Sequence, residues 1–214
     1  MQGTPSATVV TQVVTIAMSN TNGAAPFNPG WTLETPSLIA GRAPFSTTGS
    51  FDLESPTLTG TRDINSLTAY GDLTLNFDMI AANNNNTTTP NYVTCGGNAC
   101  TSIIYALTNS PNGSDVTNIV VYNGWADNGR DGQYYTVLYS TVAQPTTYLP
   151  ISTVYYLPNV PGGTPSANRV AIASTNGVPL ASAVANLKFD FGSVPAASAF
   201  NNGFQGYGQI IVQG

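Results

Sequence analysis

The 214-residue chain contains no histidine, and charged residues make up only 7% of it. Each scarcity removes a class of function. Without an imidazole there is no Ser-His-Asp or Cys-His nucleophilic arrangement. Two cysteines alone cannot complete a zinc tetrahedron from its usual ligands. A glycosidase needs two opposed carboxylates; the ten acidic residues offer pairs, but no E-x-D-x-E strand signature, and Asp52 with Glu54 in FDLES reads as a solvated face. The expectation is a protein that is not an enzyme. The five basic residues, Arg42, Arg62, Arg130, Arg169 and Lys188, are scattered and the net charge is -5. No basic stripe is available to neutralise phosphates, which argues against nucleic acid as a partner. No apolar run approaches the roughly 20 residues of a membrane helix, so insertion into a membrane is not expected. The N-terminus MQGTPSATVV has neither the basic start nor the apolar centre of a signal peptide; a leader removed ahead of Met1 is expected, with residues 1–8 a flexible lead-in.

What the chain does have is Gly, Pro, Thr, Ser and Asn in abundance, with 42% hydrophobic residues. Thr, Ser and Asn take the solvent faces that Lys, Glu and Arg would fill in an amphipathic helical protein. Short β-branched and aromatic runs punctuate the chain: VVTQVVTIAM at Val9 to Met18, Ser50 to Leu53, SIIYAL at Ser102 to Leu107, Val154 to Leu157, Arg169 to Ala173, NLKFDF at Asn186 to Phe191 and YGQIIV at Tyr207 to Val212. Leu73, Leu75, Phe77 and Met79 alternate cleanly with polar residues, the pattern of a half-buried strand. Leu187, Phe189 and Phe191 are assigned inward by the same period. About ten short strands joined by Gly/Pro/Asn loops predict an all-β fold, a two-sheet antiparallel β-sandwich of jelly-roll type, as a single domain over 1–214.

In TCGGNACT two glycines let the chain turn back so that Cys95 and Cys100 close a small ring. In a secreted chain a disulfide here is expected to contribute about 2 kcal/mol. The polar tract NNNNTTTP at Asn83 to Pro90 reads as an exposed loop, and the sequons at Asn85, Asn86 and Asn112 fit surface loops.

The densest stretch is IVVYNGWADNGRDGQYYTVLYS, Ile119 to Ser140. Strand-like Ile119 to Tyr122 and Tyr134 to Tyr139, read as a hairpin, flank a loop that gathers Trp125, Asp127, Asn128, Arg130, Asp131 and Gln133 in a chain otherwise poor in charge. Two roles fit Trp125. It can stack on the apolar face of a sugar ring while the neighbouring acids, amides and Arg take the hydroxyls, or it can plug the end of the core while Asp127 or Asp131 pairs with Arg130 to fix a turn. Asp127 and Asp131 also suggest a calcium loop, although Gly129 stands at the third EF-hand position and Leu138 where the bidentate Glu belongs. Tyr134, Tyr135, Tyr139, Tyr155 and Tyr156 are either an aromatic face or core and cross-strand pairs.

Together YNGWADNGRDGQYYTVLYSTVAQPTTYLPISTVYY, NLKFDFG and NGFQGYGQIIVQG resemble the galactose-binding-domain-like, or discoidin-like, β-sandwich modules of secreted bacterial proteins, closest to uncharacterised modules in proteins with PEP-type sorting signals. The resemblance covers the chain from Ser37 onward, including SLIAGRAP and GSFDLES. It implies a non-catalytic jelly roll that carries ligands, often glycans, on loops at one end, frequently with a structural calcium. Gln209 departs from the pattern, since such modules often place a Glu before the final strand. The functional expectation is thus a secreted or cell-surface, lectin-like module for a glycan or polysaccharide. The alternative is a self-associating structural protein of the cell surface or extracellular space, because few Lys or Pro residues guard the strand edges.

Overall fold

The computed structural model describes residues 11–19, 34–40, 42, 44–49, 52–53, 93–96, 100–107, 110–125, 132–156, 166–191, 204–207 and 209–214. Every regular element among them is a β-strand. In chain order these are β1 (Thr11–Ser19), β2 (Ser46–Gly49), β3 (Asp52–Leu53), β4 (Val93–Gly96), β5 (Cys100–Ala106), β6 (Ser114–Val116), β7 (Asn118–Trp125), β8 (Gln133–Thr141), β9 (Gln144–Tyr156), β10 (Ser166–Ser174), β11 (Ala181–Asp190), β12 (Phe204–Tyr207) and β13 (Gln209–Gln213).

Two antiparallel sheets form the sandwich. The first has the order β1-β10-β7-β13, and the second β2-β5-β11-β8-β9 with β6 also pairing β11. A small sheet, β12-β4-β3, is joined to the start of β8 by a parallel bridge between Gly132 and Gln205. From β7 onward the chain alternates between the two large sheets, with β8 and β9 adjacent in one and β10 and β11 in opposite sheets. The Leu38 N–H donates to the Val212 carbonyl at 2.7 Å, so the segment before β2 runs along the free side of β13. This is a two-sheet antiparallel all-β sandwich, as the sequence pattern predicts.

Ile119, Val121, Val170, Ile172, Ile210 and Val212 face Tyr135, Val137, Leu187 and Phe189 across the sandwich, all essentially inaccessible. Each such aliphatic side chain contributes roughly 1.5–3 kcal/mol by leaving water. The other face of the first sheet is buried as well, at Val120, Tyr122 and Ile211. That explains why β7 reads as an unbroken IVVY run and not as an alternation.

Two expectations need correction. Ile119–Tyr122 and Tyr134–Tyr139 are not a hairpin: β7 pairs with β10 and β13, whereas β8 pairs with β11 and β9. Both of their edges are already taken, so the 126–131 connection crosses from one sheet to the other. The strand expected at Val154 to Leu157 begins ten residues earlier, at Gln144, because Pro145 and Pro150 sit on an edge strand where a missing N–H is tolerated. The Leu73–Met79 strand lies outside the described residues.

Candidate functional site

One end of the sandwich gathers the C-terminus of β7, the start of β8, the end of β9 and the start of β10. Trp125 pairs with Ser166 and Gln133 with Tyr156. Asp127, Asn128, Arg130 and Asp131 lie outside the described residues; the stems that carry their loop are described.

Those stems are fastened by buried amides. Asn123, Gln133 and Asn168 share the inward face of their strands with Val121, Tyr135 and Val170, and all three are fully buried. Gln133 Nε2 donates to Asn168 Oδ1 at 2.5 Å and to the Val121 carbonyl at 3.2 Å, while Gln133 Oε1 accepts from the Tyr135 hydroxyl at 3.1 Å. Asn123 Nδ2 donates to the Gly132 carbonyl at 3.3 Å, which ties the last residues of β7 to the first of β8 across the loop. Gln205 Oε1 accepts from the Tyr134 N–H at 3.0 Å and lies 2.5 Å from the Tyr207 hydroxyl, itself 3.2 Å from the Tyr134 carbonyl. Unpaired buried amides would each be costly, so the network holds β7, β8, β10 and β12 in one register.

Below it lies an aromatic layer. The Tyr135 ring meets Phe189, Tyr207 and Phe191 with centroids 5.5, 5.9 and 6.3 Å away. Tyr134 and Tyr155 stack edge-on at 4.9 Å as a cross-strand pair. The tyrosine cluster is therefore largely core and cross-strand packing. Burial raises the phenol pKa of both Tyr134 and Tyr135 well above the usual range. A Cβ at Gly132 would stand 2.4 Å from the Tyr134 ring, so any side chain there requires that ring to shift.

The structure places Gln133 apart from a ligand surface: its amide is spent inside the protein. Trp125 ends β7. The side-chain oxygens of Gln133 and Gln205 are committed to internal donors. Cys95 lies in β4 opposite Gln205, and Cys100 opens β5 opposite Gly49.

A second polar cluster was not anticipated. On the other face of the first sheet the Tyr122 hydroxyl donates to Glu34 Oε2 at 2.6 Å. Arg169 Nε donates to Glu34 Oε1 at 3.0 Å, Arg169 Nη2 pairs with the same oxygen, and the guanidinium lies 5.9 Å from the Tyr122 ring centre. Burial first, then the bond to Glu34, pushes the Tyr122 phenol well up; burial would lower Arg169, but its bonds to Glu34 and Tyr122 outweigh that and raise it. The cluster clamps the 34–40 segment to β7 and β10. Arg42 Nη1 donates to the Ala106 carbonyl at 2.9 Å and Lys188 pairs with Asp190 at 3.4 Å, so each described basic side chain has an internal partner.

No family model matches the chain, and no curated protein matches it in sequence. Among the described residues no helix is long and apolar enough to cross a membrane.

Proposed function

We propose that this chain is a non-catalytic, lectin-like carbohydrate-binding module of the extracellular space or cell surface. Its binding surface is the 126–131 loop, with Trp125 as the stacking face and Asp127, Asn128, Arg130 and Asp131 as partners for sugar hydroxyls. One observation carries the reading: both stems of the loop are fixed by buried amides, through Asn123 to Gly132 and Gln133 to Asn168. A loop held at both ends loses less conformational freedom on binding, which matters for the shallow contacts a sugar offers. Gln133 acts in this reading as an anchor for the loop and not as a ligand contact. Calcium, where it contributes, is held by Asp127 and Asp131, and a Cys95–Cys100 disulfide closes the ring between β4 and β5.

The test is a glycan-array screen of the purified protein with and without calcium, beside a Trp125→Ala variant. Binding that disappears in the variant while circular dichroism is unchanged supports the loop site. Loss with chelator alone moves the contact to the cation. A folded wild-type protein that binds nothing across a broad array sinks the reading.

A further inference from the structure

We propose that Asn176 is a self-modifying site, whose side-chain amide is converted to a carboxylate through attack by the Gly177 backbone nitrogen, and that the fold favours this step at Asn176 over the other described Asn-Gly pairs. The sequence holds six Asn-Gly pairs, and three of them, at Asn112, Asn123 and Asn176, lie among the described residues. Glycine after asparagine leaves the attacking nitrogen sterically open, because no Cβ shields it. The motif alone makes the three alike; their surroundings separate them. Asn123 is fully buried in β7 opposite Asn168, and its Nδ2 donates to the Gly132 carbonyl. Held extended by the sheet, its backbone cannot fold back over its own side chain. Asn112 is exposed, but the Gly113 N–H donates to the Ser110 carbonyl at 3.0 Å. Gly113 also packs so closely on Ala183 that a Cβ would stand 2.5 Å from its backbone carbon. That nitrogen is committed and its turn is pinned.

Asn176 differs on each count. Asn176, Gly177 and Val178 are all exposed in the connection from β10 to β11, and a Cβ at Gly177 would meet nothing within 4 Å. The Gly177 N–H donates to no group among the described residues. The Val178 N–H donates to Asn176 Oδ1 at 3.4 Å, which folds the side chain over the intervening Gly177 peptide and brings Cγ toward its nitrogen. The Ser174 hydroxyl donates to the same Oδ1. Two donors therefore already meet the oxygen on which negative charge grows as the nitrogen adds, the arrangement that stabilises a tetrahedral intermediate. In the reaction the Gly177 nitrogen gives its proton to solvent and bonds to Asn176 Cγ. The Cγ–Nδ2 bond then breaks, and Nδ2 leaves as ammonia from a five-membered cyclic imide. Water opens the imide at either carbonyl, to an aspartate or to an isoaspartate whose extra main-chain methylene lengthens the turn. The aspartate keeps the acceptor for Ser174 and Val178 and adds one negative charge. That charge lies beyond Ser174, at the opposite end of β10 from Ser166, the partner of Trp125, so the inference does not depend on the carbohydrate reading.

The experiment incubates the folded full chain in mildly alkaline buffer and follows each Asn-Gly peptide by mass spectrometry, with isoaspartyl methyltransferase labelling as a second readout. Urea-unfolded chain and a Ser174→Ala variant, checked for folding by circular dichroism, are run beside it. In the folded wild type Asn176 is expected to convert at least about fivefold faster than Asn112, the factor carried by the one hydrogen bond that Gly113 must break. Asn123 should stay intact. In urea, where the three share a motif and no fold, the rates should converge. Ser174→Ala should slow Asn176 about threefold or more and leave Asn112 unchanged, a smaller loss than in a buried oxyanion hole because water replaces the hydroxyl. An Asn176 that does not convert, equal conversion of Asn112 and Asn176 in the folded chain, a preference that persists in urea, or a Ser174→Ala variant as fast as the wild type overturns the proposal.

Discussion

Replacing Gln133 by alanine separates an anchoring role from a ligand-contact role. A surface group that meets only a ligand costs within about 0.5 kcal/mol of folding stability when truncated. Gln133 is instead fully buried and makes three internal hydrogen bonds. Removing it forfeits bonds worth about 1 kcal/mol each, and the Tyr135 hydroxyl loses its acceptor in a site without solvent, at about 1–3 kcal/mol. The vacated volume adds a cavity term. Partial relaxation and entry of water reduce the sum to an expected loss of about 3–5 kcal/mol, a large share of a typical domain stability of about 5–15 kcal/mol. Urea unfolding followed by circular dichroism reads it, with Gln133→Met as the control that keeps the volume and drops the polar bonds. The methionine variant is expected to recover the cavity part only. A loss below about 1 kcal/mol for the alanine variant would refute the anchoring argument, because a side chain so embedded could not be that dispensable.

Gly113→Ala is expected to cost about 2–4 kcal/mol by thermal or urea unfolding: Gly113 has φ +77°, and a Cβ there would stand 2.5 Å from the Ala183 backbone carbon. Stability is also expected to fall in alkali. The phenols of Tyr122, Tyr134 and Tyr135 are held above their unfolded value, so their contribution is full below pH about 10 and is lost as pH rises through the folded-state values. Absorbance titration of the native protein should show these phenols ionising only as it unfolds; smooth ionisation of all eleven tyrosines near the free value would contradict their burial. Tyr122→Phe should leave Glu34 and Arg169 paired but cost about 1.5–3 kcal/mol, since the hydroxyl donates to the Glu34 carboxylate and accepts from Arg169 and hydrogen bonds to charged groups are worth that much, measured by the same urea curves.

Much of the fold was legible because side-chain period reports burial directly. NLKFDF places Leu187 and Phe189 in the core, as its alternation requires. Period does not report which strands are neighbours, and for that reason β7 and β8 looked like a hairpin although they belong to opposite sheets. Proline misled at β9, since read locally Pro145 and Pro150 break a strand, and only the edge position makes them harmless. The buried amides did leave a signal. Gln133 has the parity of Tyr135 and Val137, Asn123 that of Ile119 and Val121, and Asn168 that of Val170 and Ile172. An amide that continues an inward row in each of three strands marks a polar layer inside the sandwich. The Glu34–Tyr122–Arg169 cluster left none, because it joins residues 135 positions apart in sequence on a face whose covering is not periodic.

The order of side chains along the sandwich explains why that polar layer sits where it does. Aliphatic residues fill the middle, the aromatic ring cluster of Tyr135, Phe189, Phe191 and Tyr207 follows, and the amides come last, at the end where β7 stops and β8 starts. A purely apolar end would tolerate sliding of strands, since one Val replaces another at little cost, whereas an amide must meet a particular donor and acceptor. A one-residue slip of β8 would turn Gln133 outward and bring Tyr134 into its place, stranding Asn168 and the Tyr135 hydroxyl without the bonds they make now. The network therefore selects a single register for β7, β8 and β10 together. With charges so few in this chain, buried amides take over the specifying role that ion pairs serve elsewhere, and the span between Trp125 and Gly132 follows from it.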